Sequence, residues 1–173
     1  DSVTYSANNC SVPLTLKIKK KLTYGVSTHS ASACTIDILP NVENTPFNKI
    51  ELTVESKLLT KYINKNICAF IPGKQSNDTM MVFSAHYDHL GGMGKTIFFP
   101  GANDNASGVS VLLNLAKYYA KDPPRYKTVF IFFSGEEAGL LGSQYFVDSK
   151  VVDLTKIKFL INLDLLGTGD DGI

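Results

Sequence analysis

Apolar and polar residues alternate in short stretches through the first part of the chain. Leu14-Thr15-Leu16-Lys17-Ile18 and Cys34-Thr35-Ile36-Asp37-Ile38 have the period of two that predicts strands, and no helical period occurs there. Residues 1–48 are otherwise rich in Ser, Thr and Asn. They read as an accessory or linker segment, with Pro40 and Pro46 bracketing a connection. The pattern changes at Ile50, and residues 49–173 read as a second domain. Residues 50–55 alternate as an amphipathic strand. Residues 66–71 predict another, stopped by Pro72-Gly73, with Cys68 at a buried position. Residues 80–85 form an apolar run that predicts burial on both faces. A helix is expected to begin near Asn105 to Ser107, with Val109, Leu112, Leu113, Ala116 and either Tyr119 or Ala120 as its apolar face. Asp122-Pro123-Pro124 ends it. A buried strand over residues 129–133, a shorter helix over 138–147 and a last strand over 158–163 follow. Strands alternating with helices predict an α/β fold, a three-layer sandwich around a mixed, largely parallel central sheet.

Composition narrows the function. The 173 residues suffice for one domain with a core and a small appendage. A content of 44% hydrophobic and 19% charged residues fits a folded globular chain and excludes a disordered one. A net charge of +1 gives no basis for a polyanion partner, so nucleic acid is not expected. Lys17, Lys19, Lys20 and Lys21 alternate with Leu16 and Ile18 and read as a solvated strand face. No apolar run approaches the roughly 20 residues of a membrane span. Cys10, Cys34 and Cys68 lack metal-site spacing, which argues against thiolate ligands. Whether Cys10 and Cys34 are bridged stays open, because sequence carries no geometry. The chain starts at Asp1 without a visible leader, as a processed or partial chain would.

The candidate chemistry lies where the predicted strands end. Parallel α/β sheets place ligands beyond the carboxyl ends of their strands. Residues 80–85 run into His86-Tyr87-Asp88-His89, and residues 129–133 into Ser134-Gly135-Glu136-Glu137. The last strand runs into Asp164, and Gly101-Ala102-Asn103-Asp104-Asn105-Ala106-Ser107-Gly108 introduces the long helix. Each piece alone has a structural reading: a satisfied histidine, acids favouring a helix N-terminus, a turn cap. Their coincidence at one rim favours a shared cation, which offsets the cost of carboxylates beside apolar strands. Imidazole and carboxylates without thiolate suit zinc, with manganese or cobalt less suited.

His86-x-Asp88, Gly-Ala-Asn-Asp104-Asn-Ala-Ser-Gly, Gly-Glu136-Glu137-Ala-Gly-Leu-Leu-Gly-Ser and Asn-Leu-Asp164 stand in an order that resembles the co-catalytic di-zinc aminopeptidases. That family also contains glutamate carboxypeptidase, glutaminyl cyclase and the transferrin receptor ectodomain. The resemblance covers residues 50–173 and implies a zinc-exopeptidase-like fold. It implies that His86 and Asp164 bind one zinc, that Asp104 bridges two, and that Glu137 binds the second. By the same resemblance Glu136 is the general base for a zinc-activated water, and Asp88 orients the His86 imidazole from behind. The implied reaction is removal of N-terminal residues from peptides with a free N-terminus, in a secreted or periplasmic protein. The family's second zinc has a further histidine ligand well downstream of the Asp164 motif, whereas the sequence stops at Ile173. The resemblance therefore implies a fold incomplete at its C-terminal end and a segment or chain that completes the site. It also implies at most one tightly bound zinc, with little activity, in these residues alone. His29 lies in the early polar segment and is not expected to replace that ligand, and His89 reads as a local structural residue. The rival readings are a glutaminyl cyclase-type acyltransferase using one zinc, a carboxypeptidase, and a non-catalytic receptor or scaffold.

Overall fold

The computed structural model describes residues 2–4, 14–29, 33–39 and 57–167. The chain divides into two compact units, Asp1–Tyr62 and Ile63–Ile173. In the first, strands β1 (Ser2–Thr4), β2 (Leu14–Ile18) and β3 (Cys34–Ile38) form one sheet in that order. β1 runs antiparallel to β2, and β2 parallel to β3. Leu16 is buried, and Lys17, Lys19, Lys20 and Lys21 are exposed. The strand expected over residues 50–55, the linker between Pro40 and Pro46, and Cys10 lie outside the described residues, as does the Cys34 side chain.

The second unit holds strands β4 (Ile67–Ile71), β5 (Met80–His86), β6 (Gly91–Met93) and β7 (Ile97–Phe99), then helix α1 (Gly108–Lys121). Strand β8 (Lys127–Phe133), helix α2 (Leu141–Ser149) and strand β9 (Ile157–Asn162) complete it. The main sheet has the order β4-β8-β5-β9, and β6 with β7 makes a separate small ribbon. β5 runs parallel to both β8 and β9, whereas β4 is antiparallel to β8. The sheet is thus mixed and mainly parallel.

Side chains alternate across a strand, so each strand feeds both faces of the sheet. Met80, Val82, Val129 and Ile131 form one core cluster with Phe146 of α2. Phe83, Ala85 and Phe130 form the other with Leu112 of α1. The two helices therefore cover opposite faces, which makes three layers. Phe130 stacks on Phe83 at 6.0 Å between ring centres, and Phe146 meets Phe133 edge-on at 5.8 Å. Burying a side chain such as Leu112, which is 0% exposed, is worth about 1.5–3 kcal/mol.

Several local expectations are corrected. Leu113 does not lie on the buried face of α1 and is 56% exposed, whereas Leu115 packs against the core. Leu113 stands one residue, about 100° of rotation, beyond Leu112; Leu115, Ala116 and Tyr119 return to the same face at helical spacing. Helix α1 does start where expected, at Gly108 with Ser107 as its N-cap, but it follows an irregular turn over Ala102–Ser107 in which Asp104 and Asn105 are non-helical. Helix α2 starts at Leu141 and not at residue 138. The N–H groups of Gly139 and Leu140 first close a turn on the Glu136 carbonyl, with Leu140 at φ 61°. Cys68 is exposed, not buried. β4 is hydrogen-bonded to β8 alone among the described strands.

Candidate metal centre

β5, β8 and β9 are parallel, so their carboxyl ends reach the same edge of the sheet. His86 is the last residue of β5, Ser134 follows β8, and Asp164 lies just past β9. The turn before α1 brings Asp104 to the same edge. Its Oδ1 lies 3.1 Å from His86 Nε2, and Asp164 Oδ1 lies 3.5 Å from the same nitrogen. His86 is only 3% exposed. Its Nδ1 is 3.0 Å from the main-chain carbonyl of Asp88, which can only accept. That bond keeps the proton on Nδ1 and leaves the Nε2 lone pair facing the two carboxylates, the tautomer a metal ligand needs.

Asp88 holds His86 by this main-chain carbonyl, while its carboxylate lies 3.8 Å from Nδ1. The carboxylate turns to the next loop, where it accepts from the main-chain N–H of Glu136 at 3.2 Å and of Glu137 at 3.3 Å. On the far side of Asp104, His89 Nδ1 is 2.6 Å from Glu137 Oε1 and 3.9 Å from Asp104 Oδ1. Two groups of donor atoms result, His86 with Asp104 and Asp164, and His89 with Asp104 and Glu137. Within each, the donors lie within 4.8 Å of one another. Asp104 belongs to both.

Polar side chains, one of them buried and the others partly buried, fix these segments. Asn66 donates to the Gly142 carbonyl at 2.7 Å and accepts from the Ser134 N–H at 3.1 Å, tying both ends of the Glu136–Glu137 loop together. A Cβ at Gly142 would collide with the Ser134 main chain and with Asn66, so that closure needs glycine. Gly135, at φ 73°, turns the chain out of β8. Asn105, 2% exposed, accepts from the Gly108 N–H at 3.0 Å and donates to the Leu163 carbonyl at 2.9 Å. It therefore caps α1 and anchors the Asp104 turn to the end of β9. Ser107 donates to the Asn103 carbonyl and accepts from the Leu166 N–H. The Asp104–Asn105 peptide bond is cis.

The electrostatics follow from this crowding. Among the described residues, no Lys or Arg forms an ion pair with Asp104, Glu136, Glu137 or Asp164. Burial pushes the Glu136 carboxyl above its ordinary range. His86 opposes that shift, while Glu137, Asp164 and Asp104 add to it. A cavity of about 300 Å³ with His86, Glu136 and Asp164 on its lining, walled by Phe133, Leu140 and Phe146, supplies the apolar surroundings. Burial is the largest influence on His86 and lowers its pKa. The Asp88 hydrogen bond and the Asp164, Glu136 and Asp104 carboxylates outweigh it, and the net shift is upward. A divalent cation would relieve the same repulsion. The donors are an imidazole nitrogen with its second nitrogen engaged and a set of carboxylates without thiolate, which fits zinc.

Sequence reading placed His86, Asp88, Asp104, Glu136, Glu137 and Asp164 at one rim, and the structure brings all of them together. Sequence reading found Asn105 as a helix cap, but not its bond to the Leu163 carbonyl, the His89–Glu137 contact or the role of Asn66. The only signals were an unexplained second histidine after His86 and asparagines beside strand and helix ends.

The sequence profile described as Peptidase family M28 matches residues 66–173. Aminopeptidase YwaD of Bacillus subtilis is 37% identical over 122 residues, spanning 68% of this chain and 25% of that protein. A probable zinc metalloprotease of Leptosphaeria maculans is 34% identical over 111 residues, 62% of this chain and 26% of that one. Among solved structures, a zinc aminopeptidase from Bacillus subtilis aligns with a TM-score of 0.49 at 35% identity, covering 61% of this chain and 25% of the other. The chain thus spans about a quarter of the length of these relatives. With the matched region containing every residue of the metal centre, the chain belongs to peptidase family M28.

Proposed function

We propose that the protein is a zinc-dependent hydrolase that removes N-terminal residues from peptides. The observation that supports this reading is the position of Asp104. Its Oδ1 lies 3.1 Å from His86 Nε2 and 3.9 Å from His89 Nδ1, so one acid stands between two donor groups. In this reading His86 and Asp164 hold one zinc, Glu137 holds a second, and Asp104 is shared. An acid shared in this way would screen the repulsion between two cations. Zinc, when bound, polarises the scissile carbonyl and acidifies water.

The remaining chemistry belongs to the chain. Glu136 is outside both donor groups but adjoins them, with a carboxyl that burial makes more basic. It takes a proton from the attacking water and returns it to the leaving amine. Asp88 keeps the His86 tautomer through its carbonyl and aims the Glu136–Glu137 loop through its carboxylate. The further histidine ligand, the restriction to a free N-terminus and a secreted or periplasmic location belong to the same proposal and rest on the family resemblance. The test is Glu136→Gln. Zinc content should be retained and turnover of an aminoacyl anilide should fall by about 10²–10⁴-fold. Near-normal turnover in a zinc-replete variant refutes the base assignment.

A further inference from the structure

We propose that His89 is a positioning residue for the second metal position, acting through Glu137 and not as a ligand itself. The inference rests on the reading of Glu137 as a zinc ligand. Its geometric part, the hydrogen bond that aims Glu137, stands independently of that reading.

The distance decides between the two roles open to His89. Its Nδ1 is 2.6 Å from Glu137 Oε1. Donor atoms about 2.0–2.1 Å from a tetrahedral zinc stand about 3.3 Å apart. Nδ1 and Oε1 are therefore too close to share one ion as they stand, and 2.6 Å is the length of a charge-assisted hydrogen bond. An ionised carboxylate only accepts, so Nδ1 carries the proton. This bond engages Oε1 and leaves Oε2 for the metal, the arrangement by which outer groups orient metal-binding carboxylates. The ring has little freedom to leave. A Cβ on Gly101 would come within 3.0 Å of His89 Cβ and 3.1 Å of its Cδ2, so the imidazole occupies the space that glycine frees. Asp88, the preceding residue, holds the Glu137 main-chain N–H at 3.3 Å. Adjacent residues thus fix both the backbone and the carboxylate of Glu137.

The test uses nitrogen-15 NMR of the metal-stripped protein, followed by zinc calorimetry. In the wild type, the His89 Nδ1–H proton should resonate far downfield and exchange slowly with water, and Glu137→Gln should abolish both. Zinc saturation should leave the proton in place. His89→Ala should weaken the calorimetric step that Glu137→Ala removes by about 10–100-fold, leaving the step that depends on His86 within threefold. His89→Asn, whose amide N–H stands near the place of Nδ1, should recover most of the lost affinity. It also carries the test if His89→Ala does not fold. Loss of the Nδ1 proton on zinc binding would make His89 a direct ligand and overturn the proposal. So would wild-type zinc affinity in both variants, or a rapidly exchanging Nδ1–H in the wild type. Failure of the wild type to bind any zinc would refute the metal reading, while the metal-free NMR result would still decide the hydrogen bond.

Discussion

At the scale of single residues, the centre is a crowd of acids gathered around one buried imidazole. Removing Asp104 should do more harm to metal binding than removing Asp164, because Asp104 alone belongs to both donor groups. Asp104→Asn is expected to weaken every zinc-binding step, and Asp164→Asn only the one shared with His86; calorimetry of the two variants checks this. Protons compete with the metal for the same atoms. His86 has a folded pKa above 6.5, so in the metal-free protein its stabilising contribution is complete below pH 6.5 and is lost as pH rises through the folded value. Glu136 is raised above 4.5, and its folded state likewise holds protons more tightly than the unfolded chain does. Both groups therefore make the metal-free protein less stable as pH climbs from about 4.5 to beyond 6.5. Zinc needs deprotonated ligands and works in the opposite sense. Thermal melts with zinc and with a chelator should diverge as pH rises through this range. A gap that narrows with rising pH would contradict the assignment.

At the scale of elements, the active loops are set by asparagines and glycines more than by the acids they carry. Asn66 joins the start of the Glu136–Glu137 loop to the start of α2 through two hydrogen bonds. Asn66→Ala leaves the Ser134 N–H without its partner, a loss worth about 1–3 kcal/mol. The expected outcome is a lower denaturation midpoint together with faster amide exchange at Ser134 and Gly142. Leu112 pins α1 to the sheet, and Leu112→Ala should cost about 2–5 kcal/mol in chemical denaturation, the usual range for emptying a buried leucine site. Leu113→Ala, one residue on, should cost far less, because that side chain is 56% exposed.

At the scale of the molecule, β4 and β9 are the outer strands of the main sheet among the described residues. β9 exposes Phe159 at 56% and Leu160 at 50%. An outer strand with large apolar side chains invites pairing with another chain. The 173-residue chain is expected to associate with rising concentration, and Leu160→Lys to reduce that association, as light scattering would show. Zinc adds a second global effect. These residues supply three donors around His86, whereas His89, engaged as a hydrogen-bond donor, leaves Glu137 and Asp104 for the other position. One tight zinc and a second, weaker one are therefore expected by calorimetry. Zinc at 100 times its dissociation constant should raise stability by about 2.7 kcal/mol. Two tight sites would contradict this count.

Much of this was readable from the chain itself. The apolar runs at 80–85 and 129–133 read as buried strands, and acids directly after them are expected at one sheet edge where the strands run parallel. That pattern put His86, Asp104, Glu136, Glu137 and Asp164 at one rim, and the family resemblance supplied the role of each. Tertiary structure decided what depends on contacts between distant segments. Cys68 is exposed on β4, an outer strand among the described residues, and no local pattern encodes that position. Leu115 replaced Leu113 because the exact azimuth of α1 is set by packing on Phe83 and Phe130. The bonds of Asn66 to Gly142, of Asn105 to Leu163 and of Asp88 to Glu136 depend on loops meeting across 48 to 76 positions of sequence. His89 shows the difference most plainly: its identity is legible at once, but only the folded chain puts its nitrogen against Glu137. Periodicity records which residues must leave water, whereas the direction of a hydrogen bond is fixed only when both of its ends are in place.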